Sequence, residues 1–258
     1  MKTSFVVSLQ QTSFKALATG KFDGNLRLLK DLGYDGVELA VADPSEIDQQ
    51  KIFQLIDDHG LEVPAIGTGQ AYLRDGLSII DSRERAIERI KSHIEFARLF
   101  NAIVIIGLIR GKINGKMNKA ESTFIDCMQK CADYAPETRF AIEPLNRYET
   151  DFINNVEEAM KILKLIDARN VGILIDTFHM NIEEVSIIKS IESSSSLLFH
   201  VHVADSNRKA PGFGHLNFDE MFSTLKKVGY KGFVSAEILP LPSVEKAAEQ
   251  TIKLLKMY

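Results

Sequence analysis

The sequence contains no tryptophan, only two cysteines and no long apolar run. Cys127 and Cys131 stand four residues apart in ESTFIDCMQKCADYA, a pattern typical of a helix, and there is no second pair to complete a four-cysteine zinc site. No stretch approaches the roughly 20 apolar residues that span a bilayer. The opening MKTSFVVSLQQTSF lacks the long apolar core and cleavage site of a signal peptide. We therefore expect a cytoplasmic protein with reduced thiols and no membrane partner.

The sequence also lacks a surplus of positive charge. It carries 31 lysines and arginines against 35 aspartates and glutamates, for a formal net charge of −4. Proteins that bind nucleic acid usually carry a basic surplus, so we expect no nucleic-acid partner. A hydrophobic fraction of 45% in 258 residues is enough for a sizeable core. We expect a single domain over residues 1–258.

Short β-branched runs alternate with longer amphipathic runs along the whole chain, and no long linker interrupts them. The sequence predicts strands at about residues 3–9, 36–41, 63–68, 102–109, 139–145, 171–177, 198–204 and 233–239. It predicts helices at about residues 25–33, 44–60, 82–100, 119–135, 155–167, 183–192, 217–228 and 243–257. Eight βα units of this size predict an α/β fold of the (β/α)8 TIM-barrel type. An open doubly wound sheet is the alternative, although no G-x-G-x-x-G follows the first strand.

The last four predicted strands each carry a side chain that binds metals, near the carboxyl end. These are Glu143 in AIEPL, Asp176 in ILIDT, His202 in FHVHVA and Glu237 in VSAEIL. In a TIM barrel these ends meet at one face, where three carboxylates repel each other unless a cation lies among them. Singly, each has an ordinary explanation as a salt-bridged acid or a packed core histidine. As a set they predict a divalent metal site, and the oxygen-rich ligands favour Mn²⁺, Co²⁺ or Mg²⁺ over structural zinc.

The motifs EPLNRYETDF, LIDTFHMNIEE, FHVHVADSNR and VSAEIL resemble those of the xylose-isomerase-like barrel superfamily. The resemblance covers essentially the whole chain. It is closest to the D-tagatose and D-psicose 3-epimerases, and extends to relatives that act on keto sugar acids such as 5-dehydro-L-gluconate in inositol breakdown. It implies a metal, usually Mn²⁺, Co²⁺ or Mg²⁺, bound by the four residues above. Members of the group are often dimers or tetramers, which implies a homo-oligomer.

The resemblance also implies roles for individual side chains. Glu143 and Glu237 match the two catalytic acid/base carboxylates of the group. Glu149, His179 and Arg208 match the residues that hold the O1–O3 end of the substrate. The roles of Glu38, His200 and Asp205 stay open: Glu38 hydrogen-bonds either substrate or groups behind the ligands, and His200 packs or supports a ligand.

One segment departs from the pattern of the group. After the fourth predicted strand the chain reads IGLIRGKINGK, where the resemblance implies an aromatic wall. Arg110 in this segment can pair bidentately with a substrate carboxylate, or be an ordinary solvated loop residue. The first possibility favours a keto sugar acid over a neutral sugar. Gln70 in GTGQAYLRDG, after the third strand, is a further candidate substrate contact.

These residues and the resemblance together predict a divalent-metal-dependent epimerase. It acts at the carbon next to the ketone of a ketose or keto sugar acid, through a cis-enediolate flanked by two glutamates. An aldose–ketose isomerase resembling hydroxypyruvate isomerase, or an inosose dehydratase, is an alternative on the same metal cage. A DNA-repair enzyme resembling endonuclease IV is a remote alternative, because its three-zinc cluster requires more histidine ligands than six scattered histidines provide.

Overall fold

Eight parallel strands form a closed barrel in chain order, with β1 paired to both β2 and β8. The structure is a computed structural model that describes residues 1–115 and 117–258. The strands are β1 (Lys2–Ser8), β2 (Gly36–Ala40), β3 (Ala65–Gly67), β4 (Ile103–Ile106), β5 (Phe140–Ile142), β6 (Val171–Asp176), β7 (Leu198–Val203) and β8 (Phe233–Ala236). The closed order confirms the predicted TIM barrel and is incompatible with the open doubly wound sheet.

The helices surround the barrel. They are α1 (Phe22–Leu32), α2 (Gln49–Asp58), α3 (Gly69–Asp75), α4 (Arg83–Arg98), α5 (Met117–Tyr134), α6 (Val156–Ile166), α7 (Thr177–Glu183), α8 (Ile187–Ser194), α9 (Phe218–Lys227) and α10 (Val244–Leu255). Both cysteines lie buried on α5 as free thiols. None of the helices in the described ranges is long and apolar enough to cross a membrane.

The structure differs from the predicted elements at three places. The segment predicted as one helix over residues 44–60 is a 3-10 turn, Pro44–Glu46, followed by α2, because Asp43 and Asp48 each cap a separate start. Two short helices, α3 and α7, follow β3 and β6 directly. Since α7 occupies Thr177–Glu183, α8 begins at Ile187 instead of residue 183.

The barrel interior is divided into an apolar and a polar half. Small and aliphatic side chains from β3 to β6 form a separate internal cluster: Ala65, Ile103, Ile105, Ala141 and Leu174. On the other side, β1, β2, β7 and β8 contribute buried polar side chains: Ser4, Glu38, His200, His202 and Ser235. The polar half of the interior therefore lies on the strands that carry His202 and lead to Glu237, whereas Glu143 and Asp176 come from the strands of the apolar half.

Candidate active site

The four predicted ligands meet at the carboxyl-terminal mouth of the barrel. Asp176 is the last residue of β6 and His202 is the last but one of β7, while Glu143 and Glu237 are the first residues after β5 and β8. One nitrogen or oxygen atom from each lies within 4.8 Å of those of the others. Glu143 requires the glycine at position 107, because a Cβ there would come within 2.6 Å of its Oε2 atom. The sequence therefore brings all four side chains to a common point.

Three atoms of this group have no hydrogen-bond partner among the described residues. They are Glu143 Oε1, Asp176 Oδ2 and His202 Nδ1. A buried polar atom without a partner costs about 1–3 kcal/mol, so three at one point need an explanation. Three carboxylates and one imidazole are a suitable donor set for a divalent cation, and the residues present therefore fit a metal ion.

The pKa values of the carboxylates also favour a cation at this point. Burial raises the pKa of Asp176 to about 6 and that of Glu237 to about 8. Arg208 and His202 lower both pKa values, whereas the neighbouring carboxylates raise them further. The protein alone thus disfavours the charged forms of these groups, and a cation among them compensates for both the burial and the mutual repulsion.

Arg208 is held firmly beside this cluster. Its guanidinium carbon lies 4.8 Å from the ring centroids of both Phe14 and Phe178, in a cation–π sandwich. Nη1 donates to Glu149 Oε1 and Nη2 donates to Glu237 Oε2, each at 2.7 Å. Arg208 therefore links a predicted substrate contact to a predicted acid/base with little freedom to move.

The loop that carries Arg208 is organised by Asp205. The buried carboxylate accepts hydrogen bonds from the backbone N–H groups of Ser206, Gly212 and Leu216. Gly214 passes so close that a Cβ would come within 2.1 Å of Asp205 Oδ1, so only glycine fits there. Asp205 thus fixes the loop rather than pairing with Arg208, which answers one role that the sequence leaves open.

His179, on α7, is buried. One of its ring nitrogens is hydrogen-bonded to Asn146, and the other faces the site. Its Nδ1 atom accepts from the backbone N–H of Asn146 at 3.2 Å and lies 2.7 Å from Asn146 Nδ2. Nε2 therefore carries the proton and lies 3.6 Å from Asp176 Oδ2. Burial, with Arg208 nearby, holds the pKa of His179 well below its usual value, so the ring is a neutral donor. Asn146, which also donates to Glu149 Oε1, is not among the predicted site residues.

The mouth of the barrel encloses a small pocket with a cavity volume of about 50 Å³. Its lining includes Glu143, Glu149, His179, His202, Arg208 and Glu237 from the predicted set, together with Gln70. The lining also includes the apolar side chains of Phe14, Leu17, Leu73 and Leu108. Among the described lining residues, Arg208 is the only arginine or lysine. The pocket thus combines charged, metal-competent side chains with apolar ones.

Arg110 does not reach this pocket, and its predicted role as a substrate contact is wrong. The side chain is fully buried. Nε donates to Phe152 O at 2.8 Å, Nη1 to Glu143 O at 2.7 Å and Nη2 to Ile153 O at 3.0 Å. Burial lowers the pKa of Arg110 to about 10, which leaves it charged at neutral pH. Arg110 therefore connects the turn after β4 to the segment that carries Glu143, through hydrogen bonds to backbone carbonyls.

Residues 26–258 match the family described as xylose isomerase-like TIM barrel. The chain belongs to this family. The match covers most of the sequence and confirms the resemblance inferred from the four strand motifs.

The chain is also similar to several named sugar epimerases. The chain is 30% identical to an L-ribulose 3-epimerase of Methylomonas sp. (strain DH-1), over 85% of this chain and 79% of the relative. It is 40% identical to a 3-dehydro-D-guloside 4-epimerase of Escherichia coli (strain K12), over 37% of each. A crystal structure of D-allulose 3-epimerase from Methylomonas sp. with D-allulose superposes with a TM-score of 0.85 at 22% identity, covering 100% of this chain and 96% of that one. The last likeness concerns the fold alone.

We expect Arg110→Met to lower the free energy of unfolding by about 3–5 kcal/mol, because it leaves several buried carbonyls without a donor. Urea denaturation measures the change. Arg27→Met is the matched control: Arg27 lies 3.7 Å from Asp23 on the surface, with 70% of its side chain exposed, so its loss costs under about 1 kcal/mol. Equal free energies of unfolding for the two variants would show that the buried hydrogen bonds of Arg110 do not stabilise the protein.

We expect Asp205→Asn to destabilise the protein by about 2 kcal/mol at pH 7, because the new amide faces the Gly212 N–H as a second donor. Burial raises the pKa of Asp205, but the backbone N–H bonds outweigh it and hold that pKa below its usual value. The stabilisation is therefore present above about pH 4 and is lost as pH falls through the lower, folded-state pKa.

Urea denaturation between pH 7 and pH 2.5 measures this loss. The curves of the variant and the wild type should converge at the acid end. Asp31→Asn, on the exposed side of α1, is the control. A difference that stays constant over the whole pH range would contradict the role of the charge.

Proposed function

We propose that this protein is an isomerase: a divalent-metal-dependent ketose 3-epimerase that acts on a neutral ketose. The observation that carries the proposal is the position of Glu143 and Glu237. These carboxylates come from different strands, line one pocket and belong to one cluster of ligand atoms. Membership of a family that includes sugar 3-epimerases supports the proposal.

We assign the metal site to Glu143, Asp176, His202 and Glu237, with Mn²⁺, Co²⁺ or Mg²⁺ as the ion. The unpaired buried atoms of three of these residues support the assignment. When bound, the ion supplies a Lewis acid that stabilises negative charge on substrate oxygens, an effect worth several kcal/mol. Binding the ion also fixes the two glutamates with respect to the pocket.

The reaction requires a proton to leave the carbon next to the ketone from one face and return to the other. One of the two carboxylates, Glu143 or Glu237, takes the C3 proton and leaves a planar cis-enediolate. The other, in its protonated form, donates a proton to the opposite face of C3, which inverts the configuration, and the two glutamates return to their starting protonation states by exchange with water. Each positioned acid or base contributes about 10²–10⁴-fold to the rate. Reversal of the two roles accounts for the reverse reaction.

The remaining polar residues hold the substrate. His179 offers its Nε2–H and Arg208 its guanidinium to the O1–O3 end, near the carbon that reacts. The positive charge of Arg208 also favours the negative charge that develops on the enediolate oxygens. Glu149 positions Arg208 through the 2.7 Å hydrogen bond and is itself an acceptor for substrate hydroxyls.

The pocket favours a neutral ketose over a keto sugar acid such as 5-dehydro-L-gluconate. Arg110, the residue that favoured an acid, donates to backbone carbonyls away from the pocket. Arg208 is already bonded to two carboxylates. A substrate carboxylate against Leu73 and Leu108 would have no cationic partner among the described lining residues, and burying it there is costly.

The alternatives differ in the hydrogen atom that moves. An aldose–ketose isomerase exchanges a proton at C1 and C2, a dehydratase loses water, and a 4-epimerase of a 3-keto sugar exchanges the proton at C4. The partial likeness to the 4-epimerase of E. coli makes this last case a candidate. The nuclease alternative is disfavoured, because the cluster has one imidazole and the chain carries a net negative charge.

We expect Glu237→Gln to lower kcat at least about 100-fold, because one proton-transfer group is lost. The assay is a panel of ketopentoses, ketohexoses and keto sugar acids with Mn²⁺, read by chromatography of the products. Glu137→Gln, an exposed carboxylate outside the pocket, is the control and should keep full activity.

In D₂O, deuterium should enter only C3, and EDTA should abolish turnover. Deuterium at C1 or C4 would show a different reaction. Full activity of the metal-stripped protein, or of Glu237→Gln, would contradict the mechanism. A preference for keto sugar acids would contradict the neutral substrate.

A further inference from the structure

Beneath the four proposed ligands lies a buried polar network that the reaction itself does not use. Glu38, on β2, is 1% exposed and reaches across the barrel interior to β7. Two small polar side chains of the intervening strands, Ser4 of β1 and Ser235 of β8, are in register with each other, and Ser235 is in register with His202 of β7. A carboxylate so deep in a barrel is costly unless it is fully paired.

Glu38 is paired on both of its oxygens. Oε1 lies 2.8 Å from His202 Nε2, and Oε2 lies 2.7 Å from His200 Nε2. His200 Nε2 is also 2.9 Å from the hydroxyl of Ser235, which in turn lies 2.5 Å from that of Ser4. Each oxygen of Glu38 thus faces one imidazole nitrogen. A carboxylate only accepts hydrogen bonds, so both Nε2 atoms carry the protons.

This arrangement settles which nitrogen of His202 is free. With Nε2 protonated and bonded to Glu38, the lone pair of the neutral ring is on Nδ1. Nδ1 is the atom that lies 3.6 Å from Glu143 Oε1 and has no hydrogen-bond partner in the described part of the chain. The carboxylate on the far side of the ring therefore presents the correct nitrogen to the cluster of Glu143, Asp176 and Glu237.

We infer that Glu38 is a positioning residue: it fixes the orientation and tautomer of His202 so that Nδ1 binds the metal, and His200 holds Glu38 in place. The inference rests on the proposed metal site. A carboxylate behind a metal-binding histidine fixes the ring and increases its basicity, and its loss typically costs about 10–100-fold in metal affinity. It also gives His200 a role distinct from that of a ligand.

The same three side chains are close enough to chelate an ion of their own. The nitrogen–oxygen distances of 2.7 and 2.8 Å, however, are those of charge-assisted hydrogen bonds. Each carboxylate oxygen already has one donor. The geometry therefore favours a hydrogen-bonded support over a second metal site, and the number of ions bound per chain distinguishes the two.

The test is Co²⁺ binding to the full-length protein, measured by calorimetry and by the visible absorption spectrum of the ion. Glu38→Gln keeps the size of the side chain but has one carbonyl oxygen and one NH₂ group, so it accepts a hydrogen bond from only one of the two imidazoles. We expect about a 10–100-fold loss of Co²⁺ affinity and a shifted spectrum. His200→Gln should cause a smaller loss in the same direction, because the bond from Glu38 to His202 remains.

Ser4→Ala is the matched control, since it removes a buried hydroxyl of the network without touching Glu38 or His202. It should bind Co²⁺ like the wild type, and thermal melts of the metal-free variants should show that all of them fold. Nitrogen-15 histidine spectra of the Mg²⁺-loaded wild type should show the Nε2–H tautomer of His202. In Glu38→Gln this signal should be lost or mixed with the other tautomer.

The outcomes separate this inference from the proposed function. If the wild type binds no Co²⁺, the metal site itself is wrong. If the wild type binds one ion and Glu38→Gln binds it with the same affinity and spectrum, only the role of Glu38 is wrong. Two ions in the wild type and one in Glu38→Gln would show that Glu38 is a ligand of a second ion, which would also overturn the inference.

Discussion

The mutual repulsion of three carboxylates at the mouth of the barrel is the constraint on which the rest of the site depends. Glu143, Asp176 and Glu237 lie within one small volume, largely shielded from water. Water does not screen them there, and burial alone already raises the pKa of two of them. Arg208 and a cation are the two compensations that the geometry allows, one to the side and one at the centre. The metal ion that we propose would therefore offset a repulsion that the protein alone does not remove.

The surroundings of the site are built to keep these charges in place. Arg110 fixes the segment after β5 from behind, through the carbonyl of Glu143 itself. Asp205 folds the loop after β7, and the rings of Phe14 and Phe178 hold Arg208 flat between them. Such preorganisation reduces the reorganisation needed during proton transfer. Two buried charges thus serve the site without lining the pocket, and each does so by bonding to backbone groups.

Much of the fold is predictable from the sequence, because eight regularly spaced apolar runs are compatible with few topologies. The ligand cluster is predictable for the same reason, since the carboxyl ends of parallel strands meet at one face. The role of Arg110 is not predictable: a loop arginine that faces solvent and one that binds buried carbonyls have the same local sequence. The helix α7 was not predicted. Asp176, which the sequence pattern indicates only as a ligand, is also the N-terminal cap of this helix. The roles of Glu38 and His200 depend on a contact across 162 residues, which no local pattern contains. The single domain, the homo-oligomer and the cytoplasmic location stay predictions.

The central claim is that one ion joins the four strand-end side chains, and anomalous diffraction from crystals grown with Mn²⁺ tests it most directly. The account predicts one anomalous peak per chain, in contact with carboxylate oxygens of Glu143, Asp176 and Glu237 and with Nδ1 of His202. A peak between Glu38, His200 and His202 instead, or no peak at all, would contradict it.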